Sequence, residues 1–189
     1  MDLLLSISLG LGLAAAAGLR VFVPVFGAGL AGHFGYVELS PAFAWVAGWP
    51  ALIAFGTATV LEIVAYHIPW LDHVLDTIAT PAAVAAGMVA SASVMTELPQ
   101  VLKWSVAIIG GGGFAGLTQM LSVATRVKST LATAGVGNPV VATAETAGSM
   151  VLSFFAIFFP LVCLLLLVAI GAIVWQTTKR LRRGRGRPS

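Results

Sequence analysis

PVVATAETAGSMVLSFFAIFFPLVCLLLLVAIGAIVWQTT (residues 139–178) runs directly into KRLRRGRGRPS (179–189). The first stretch is 40 residues long and carries one charged side chain, Glu145. As a single straight helix it would reach about 60 Å at 1.5 Å per residue. A bilayer's hydrocarbon core is only about 30 Å thick. The chain must therefore turn near Phe159–Pro160, giving segments 139–158 and 160–178, or one of the two must re-enter the membrane. The 11 residues that follow hold six of the chain's ten Lys and Arg. Positive residues beside a span stay on the cytoplasmic side, so this tail is expected in the cytoplasm, where it can also meet anionic lipid head groups.

The rest of the composition agrees with a membrane solvent. Hydrophobic residues make up 59% of the chain and charged residues 9%, against about 25% charged in soluble domains. A soluble domain of 189 residues could not hide so much apolar surface. The net charge of +3 conceals a split. With the six tail cations removed, four remain against seven acids, so the body carries −3. A basic patch can mark nucleic-acid binding, but one placed directly after an apolar run is explained by topology, and no nucleic-acid partner is expected. The lone Cys163 excludes an intrachain disulfide and a cysteine-based metal site. Residues 3–17 have the apolar character of a secretory signal, yet only Asp2 lies between them and Met1. Without a positive leader, they are expected to stay as the start of the first membrane segment.

Four further apolar segments precede these two, at about 3–32, 50–66, 81–96 and 100–123. The expected fold is thus an all-α polytopic membrane bundle of about six segments, some broken or re-entrant. Residues 1–178 form one transmembrane domain and 179–189 the tail. The first segment is too long for one straight span and is interrupted by Gly18, Arg20, Pro24, Gly27 and Gly29. Irregular backbone at membrane depth must be buried in protein or line a wet cavity, so this stretch is expected as a kinked helix or as a broken helix that re-enters the membrane. Residues 33–49 hold Tyr36, Trp45 and Trp49, aromatics suited to the membrane–water interface. Residues 67–80 read as a separate interfacial helix, with Trp70, Val74 and Ile78 on one face and Asp72 and Asp76 on another. Six crossings with the tail inside would place the N-terminus, the 67–80 helix and the 125–139 loop inside as well. Arg126 and Lys128 would be loop cations.

Charged groups at membrane depth are expensive and are usually paired or functional. Arg20, Glu62 and Glu145 are the candidates, with Asn138 close to the last. Pairing of Arg20 with Glu62 or Glu145 is expected because few other partners exist. His67, Asp72, His73 and Asp76, near Glu62, are ligand types that suit divalent metals, but their spacing fits no metal motif, so the plain reading is a solvated polar face and no metal is expected. Gly110–Gly113 lack the Gly-Lys-Ser/Thr ending of a phosphate loop and read as a packing surface or a hinge. Arg20-Val21 and Arg126-Val127, each followed by small residues and a span with one glutamate, form a weak echo. It fits two inverted halves, about 1–96 and 97–178, as in many secondary transporters.

Three stretches, GLRVFVPVFGAGLAG (18–32), LEIVAYHIPWLDHVLDTIATPAAVAAG (61–87) and GVGNPVVATAET (135–146), resemble a bacterial membrane family, domain of unknown function 4126. The similarity covers nearly the whole chain in order. Its most specific parts are Glu62 with Ile68-Pro69, Asp72 and Asp76, and Asn138-Pro139 with Glu145. The family pattern has Asp-Lys where this chain has Tyr66-His67, and Arg-Pro where it has Thr80-Pro81. The resemblance implies a protein of the bacterial plasma membrane and supplies no substrate.

No Ser-His-Asp set, nucleophilic cysteine, nucleotide loop or cofactor motif is present, so neither enzyme activity nor a cofactor is expected. The first expectation is a transporter of a small solute or ion, in which Glu62 and Glu145 bind a cation or proton and Arg20 balances charge. The alternative is a non-transporting scaffold or accessory subunit, whose partner could be a second copy of the chain. A lipid enzyme built on Asp72, His73 and Asp76 is the third reading.

Overall fold

The computed structural model describes residues 2–184, and the side chains of all of these except residues 69, 70, 72, 73, 174, 175 and 177–184. Trp70, Asp72, His73 and the basic tail, singled out above, thus fall outside the described side chains. Every regular element among the described residues is helical. In order these are α1 (Leu3–Ala17), α2 (Phe22–His33), a 3-10 helix (Pro41–Ala47), α3 (Trp49–Ala65), α4 (Pro69–Val94), α5 (Gln100–Val106), a π-helical turn (Ala107–Gly111), α6 (Gly112–Thr133), α7 (Asn138–Phe158) and α8 (Pro160–Gly184).

Three stretches are long and apolar enough to cross a membrane: Val74–Val94, Gln100–Thr133 and Asn138–Phe158. A fourth arises if the 3-10 helix and α3, bent by 68°, count as one span. These helices do not by themselves reach the expected six crossings, and the first segment departs furthest from a straight span. α1 has 15 residues, about 22 Å of helix, too short for the ~30 Å core. It then reverses. At its middle, Gly10 O accepts from Ser91 Oγ at 2.8 Å. At its end, Ala16 O accepts from Ser149 Oγ at 3.0 Å, and the chain reaches Glu62 through Val21 and Phe22. α2 then returns until His33 meets Trp49 and Ala47 O, and Tyr36 meets Phe158. α1 and α2 are therefore a hairpin. Its open side lies at an aromatic end, with Trp49 and Phe158, and its tip at a charged end, with Glu62 and Arg126.

The hairpin supplies the core of the bundle. Leu9, Leu13 and Ala14–Ala17 of α1 are buried against α4, α6, α7 and α8. Hydrophobicity alone does not hold helices together in lipid, and close packing and interhelical hydrogen bonds do. Accordingly Ser91, Thr118 and Ser149, from three different helices, donate to the α1 carbonyls of Gly10, Ala15 and Ala16. The Gly110–Gly113 run forms the π turn and the start of α6, where a Cβ on Gly111 would lie 2.4 Å from Ser91 Oγ. A Cβ on Gly12 would meet Ala156 at 2.7 Å and Cys163 at 3.0 Å. Those two residues flank the turn at Phe159, so α8 folds back beside α7 and heads for the charged end.

Two local expectations are corrected. Residues 67–80 are not a separate interfacial helix, because α4 runs unbroken from Pro69 through Pro81 to Val94. Proline costs one backbone bond there, which a packed membrane helix can absorb. Residues 125–133 are not a loop either. α6 continues through them to Thr133, with Thr125 and Thr133 hydroxyls bonded back to the carbonyls four residues earlier. The turn is confined to Ala134–Gly137, where Ala134 and Gly135 take positive φ of 52° and 89°.

Candidate functional site at the hairpin tip

The tip forms because Gly18 leaves no space for a side chain: a Cβ there would sit 1.7 Å from Thr118 Oγ1 and 2.3 Å from Ala115 O. A break between two helices leaves carbonyls at one end and N–H groups at the other. Unmatched groups of this kind cost several kcal/mol each in hydrocarbon. Ala16 O accepts from Leu19 N and Arg20 N at 3.0 and 3.1 Å. On the other side, Val21 N and Phe22 N donate to the two carboxylate oxygens of Glu62 at 2.7 and 3.0 Å. Glu62 of α3 thus caps α2, a negative charge at the positive end of a helix dipole.

Arg20 is 1% exposed. It donates to Thr146 Oγ1 at 3.0 Å, Leu19 O at 2.9 Å, Ala142 O at 2.7 Å and Glu145 Oε2 at 3.1 Å. Glu145 of α7 also accepts from Arg126 of α6, with Nε at 3.2 and 3.1 Å from its two oxygens and a further short contact from the guanidinium. Ser122, one turn before Arg126, donates to the same carboxylate. The remaining arm of Arg126 reaches Asp76 Oδ1 of α4 at 3.1 Å. Both guanidiniums lie over the ring of Tyr66, at 4.2 and 4.0 Å from its centroid. Each cation is attracted to the π electrons of that ring. The cluster contains two cations and three carboxylates, a formal charge of −1.

Two cavities flank it. A cleft of about 630 Å³ between α3 and α4 is walled by Phe22, Ala58, Leu61, Ile78 and Ala82, with Glu62 the one carboxylate among its described lining residues. A polar recess of about 150 Å³ is lined by Asp76, Arg126, Thr130 and Asn138. Asn138 starts α7 and its amide donates to Thr130 Oγ1 at 3.0 Å.

The structure brings together Arg20, Glu62, Glu145, Arg126 and Asp76, with Asn138 at their edge. Arg126 is a buried ion-pair partner instead of a loop cation, while Lys128 is exposed on the same helix. Asp76 pairs with Arg126, and the side chains of Asp72 and His73, expected beside it, lie outside the described residues. His67 lies elsewhere: its Nδ1 is 2.7 Å from Ile63 O and its Nε2 3.2 Å from Thr143 Oγ1. Among the described residues no three His, Cys, Asp or Glu side chains gather as metal ligands would. Sequence reading missed Tyr66, Ser122 and Thr146. The signal for Ser122 was its i, i+4 spacing to Arg126 on one helix face. Nothing local marks Tyr66, which stands at a departure from the family pattern.

Fold and site together define a helical membrane protein built around a buried ion cluster at the tip of a helical hairpin. The chain belongs to the family described as domain of unknown function (DUF4126), whose model matches residues 7–180. No curated protein and no solved structure matches it.

Proposed function

We propose that this protein moves a small solute or ion across the bacterial plasma membrane, with Glu62 as the group that binds it or an accompanying proton. The observation that carries this reading is the imbalance of the cluster. Glu145 and Asp76 each pair with arginine, whereas Glu62 takes two backbone N–H bonds, has no ion pair among the described residues, and borders the cleft. An excess carboxylate at membrane depth is costly unless a cation or proton joins it. In this reading Glu145 is the fixed counter-ion that holds Arg20 and Arg126 in place.

The topology that goes with it has five crossings, α3, α4, α5–α6, α7 and α8, around a re-entrant α1–α2 hairpin. The basic tail then leaves at the charged end, in the cytoplasm, as the positive-inside rule prefers, and the N-terminus lies on the opposite side.

One observation favours a second reading, a non-transporting scaffold with a second copy of the chain as partner. The four donor contacts of Arg20 are all satisfied within the chain, as a structural pin requires. Proton and cation flux into sealed proteoliposomes separates the two. The transport reading expects flux in wild type and its loss in Glu62→Gln with folding intact. Absence of wild-type flux for protons and every cation class tried would leave the scaffold reading in its place.

A further inference from the structure

The cleft at Glu62 has a chemistry narrower than "small solute or ion". Its walls come from the hairpin tip (Val21, Phe22), the last turns of α3 (Ala58, Leu61, Ala65) and the first half of α4 (Leu75, Ile78, Pro81). Those side chains are hydrocarbon, and a volume of about 630 Å³ falls in the range of sites that enclose a compact organic molecule. A bare inorganic ion would find no oxygen cage there: Glu62 is the one carboxylate among the described lining residues, and hard cations need several oxygen ligands. An anion would meet that carboxylate. The nearby arginines do not offset it, because their charge is matched by Glu145 and Asp76. Leu61 and Ile78 are well exposed on the outer surface of the bundle, so the cleft opens towards the surroundings of α3 and α4, which in a membrane is lipid.

We infer that the cleft between α3 and α4 binds a compact lipophilic cation entering from the bilayer, its apolar body against α3 and α4 and its charge on the Glu62 carboxylate. Glu62 suits this role because its two N–H bonds come from rigid backbone at the start of α2. The carboxylate is oriented before any ligand arrives, and each oxygen keeps a further lone pair. A site of low dielectric magnifies the attraction to one opposite charge, and the apolar walls add the body's transfer energy. The inference deepens the transport reading and rests on it for its physiological sense, but its test is a binding measurement that does not depend on flux.

The test is equilibrium binding of tetraphenylphosphonium to the purified full-length chain in detergent, with tetraphenylborate, the same shape with the opposite charge, as the comparison. Saturable binding of the cation at least tenfold tighter than that of the anion is expected. Glu62→Gln, which retains an oxygen for the α2 N–H groups, is expected to lose at least tenfold for the cation alone. Ala82→Trp, on the exposed wall of the cleft with Glu62 intact, is expected to weaken cation binding by filling the space. Equal binding of the two ions, or cation binding unchanged in both variants, would overturn the inference. So would displacement of the cation by equimolar phosphatidylethanolamine, which would assign the cleft to a lipid amine. Loss of cation binding with ion flux intact removes this inference alone, and cation binding without any flux removes the transport reading alone.

Discussion

Arg20 and Arg126 donate to the same oxygen, Oε2 of Glu145. Two guanidiniums brought this close repel each other, and the carboxylate between them is what makes the arrangement tolerable. Removing one partner of a buried ion pair costs about 3–5 kcal/mol, because the other charge is left uncompensated. Glu145→Gln strands Arg20 and leaves Arg126 with Asp76 alone, so it is expected to be the most destabilising single change in the cluster. Asp76→Asn, at a site 24% exposed where Arg126 keeps its other partner, is expected to cost clearly less. Thermal unfolding of the detergent-purified variants checks the order; equal costs would mean that Glu145 does not hold the cluster.

Tyr66 is expected to act through its ring and not its hydroxyl. Each buried cation–π contact contributes about 0.5–2 kcal/mol. Tyr66→Phe should therefore unfold close to wild type, while Tyr66→Leu should lose about 1–2 kcal/mol or more. Denaturant titration followed by tryptophan fluorescence reads the difference, and equal loss in both variants would point to the hydroxyl.

The capping role of Glu62 and the binding role proposed for it separate by substitution. As the cap of α2, it resembles other caps whose removal costs about 0.5–2 kcal/mol. Glu62→Ala is expected to lower stability by about that amount, and Glu62→Gln by less, since one amide oxygen still accepts. As the binding group, both are expected to lose flux alike. A Glu62→Gln protein with full flux would confine Glu62 to capping.

The proposed five-crossing topology implies an orientation that labelling can read. In a Cys163→Ser background, single cysteines replacing Asp2 and Ser189 are expected to react with a membrane-impermeant maleimide from opposite sides. A cysteine replacing Val136, in the turn between α6 and α7, should label from the Ser189 side. Labelling of positions 2 and 189 from one side would replace the hairpin by a full first crossing.

The break itself depends on one atom's worth of space. Gly18→Ala must push rigid groups on α6 aside, an overpacking that costs about 1–3 kcal/mol. Gly113, on an exposed face of α6 where an added Cβ would meet nothing within 4 Å, is the control. Gly113→Ala is expected to be neutral or to stabilise by up to about 1 kcal/mol. Unfolding temperatures of the pair in one detergent test this.

The linear sequence was sufficient for properties that composition and local spacing decide. Apolar runs with one charge in 40 residues require lipid, and their length against the bilayer places a turn near Phe159–Pro160, where α7 and α8 part. Gly18 and Pro24 around the charged Arg20 point to a kink or a break in the first segment, and the structure has the break, between α1 and α2. Which groups meet was decided by tertiary structure alone. Arg126 and Asp76 read as surface residues, since the stretches around them are polar enough for a loop and an interfacial helix. They are instead inside continuous α6 and α4, where Arg126 pairs with Glu145 on a third helix and with Asp76, so their charges do not have to reach water. Tyr66 carries no local signal, since an aromatic near the end of a membrane helix ordinarily anchors it at the interface. Its contact with two guanidiniums, and the cleft that leaves Glu62 facing largely apolar walls, come from contacts between segments far apart in the chain, whose energies depend on distance in space and not on position along the sequence.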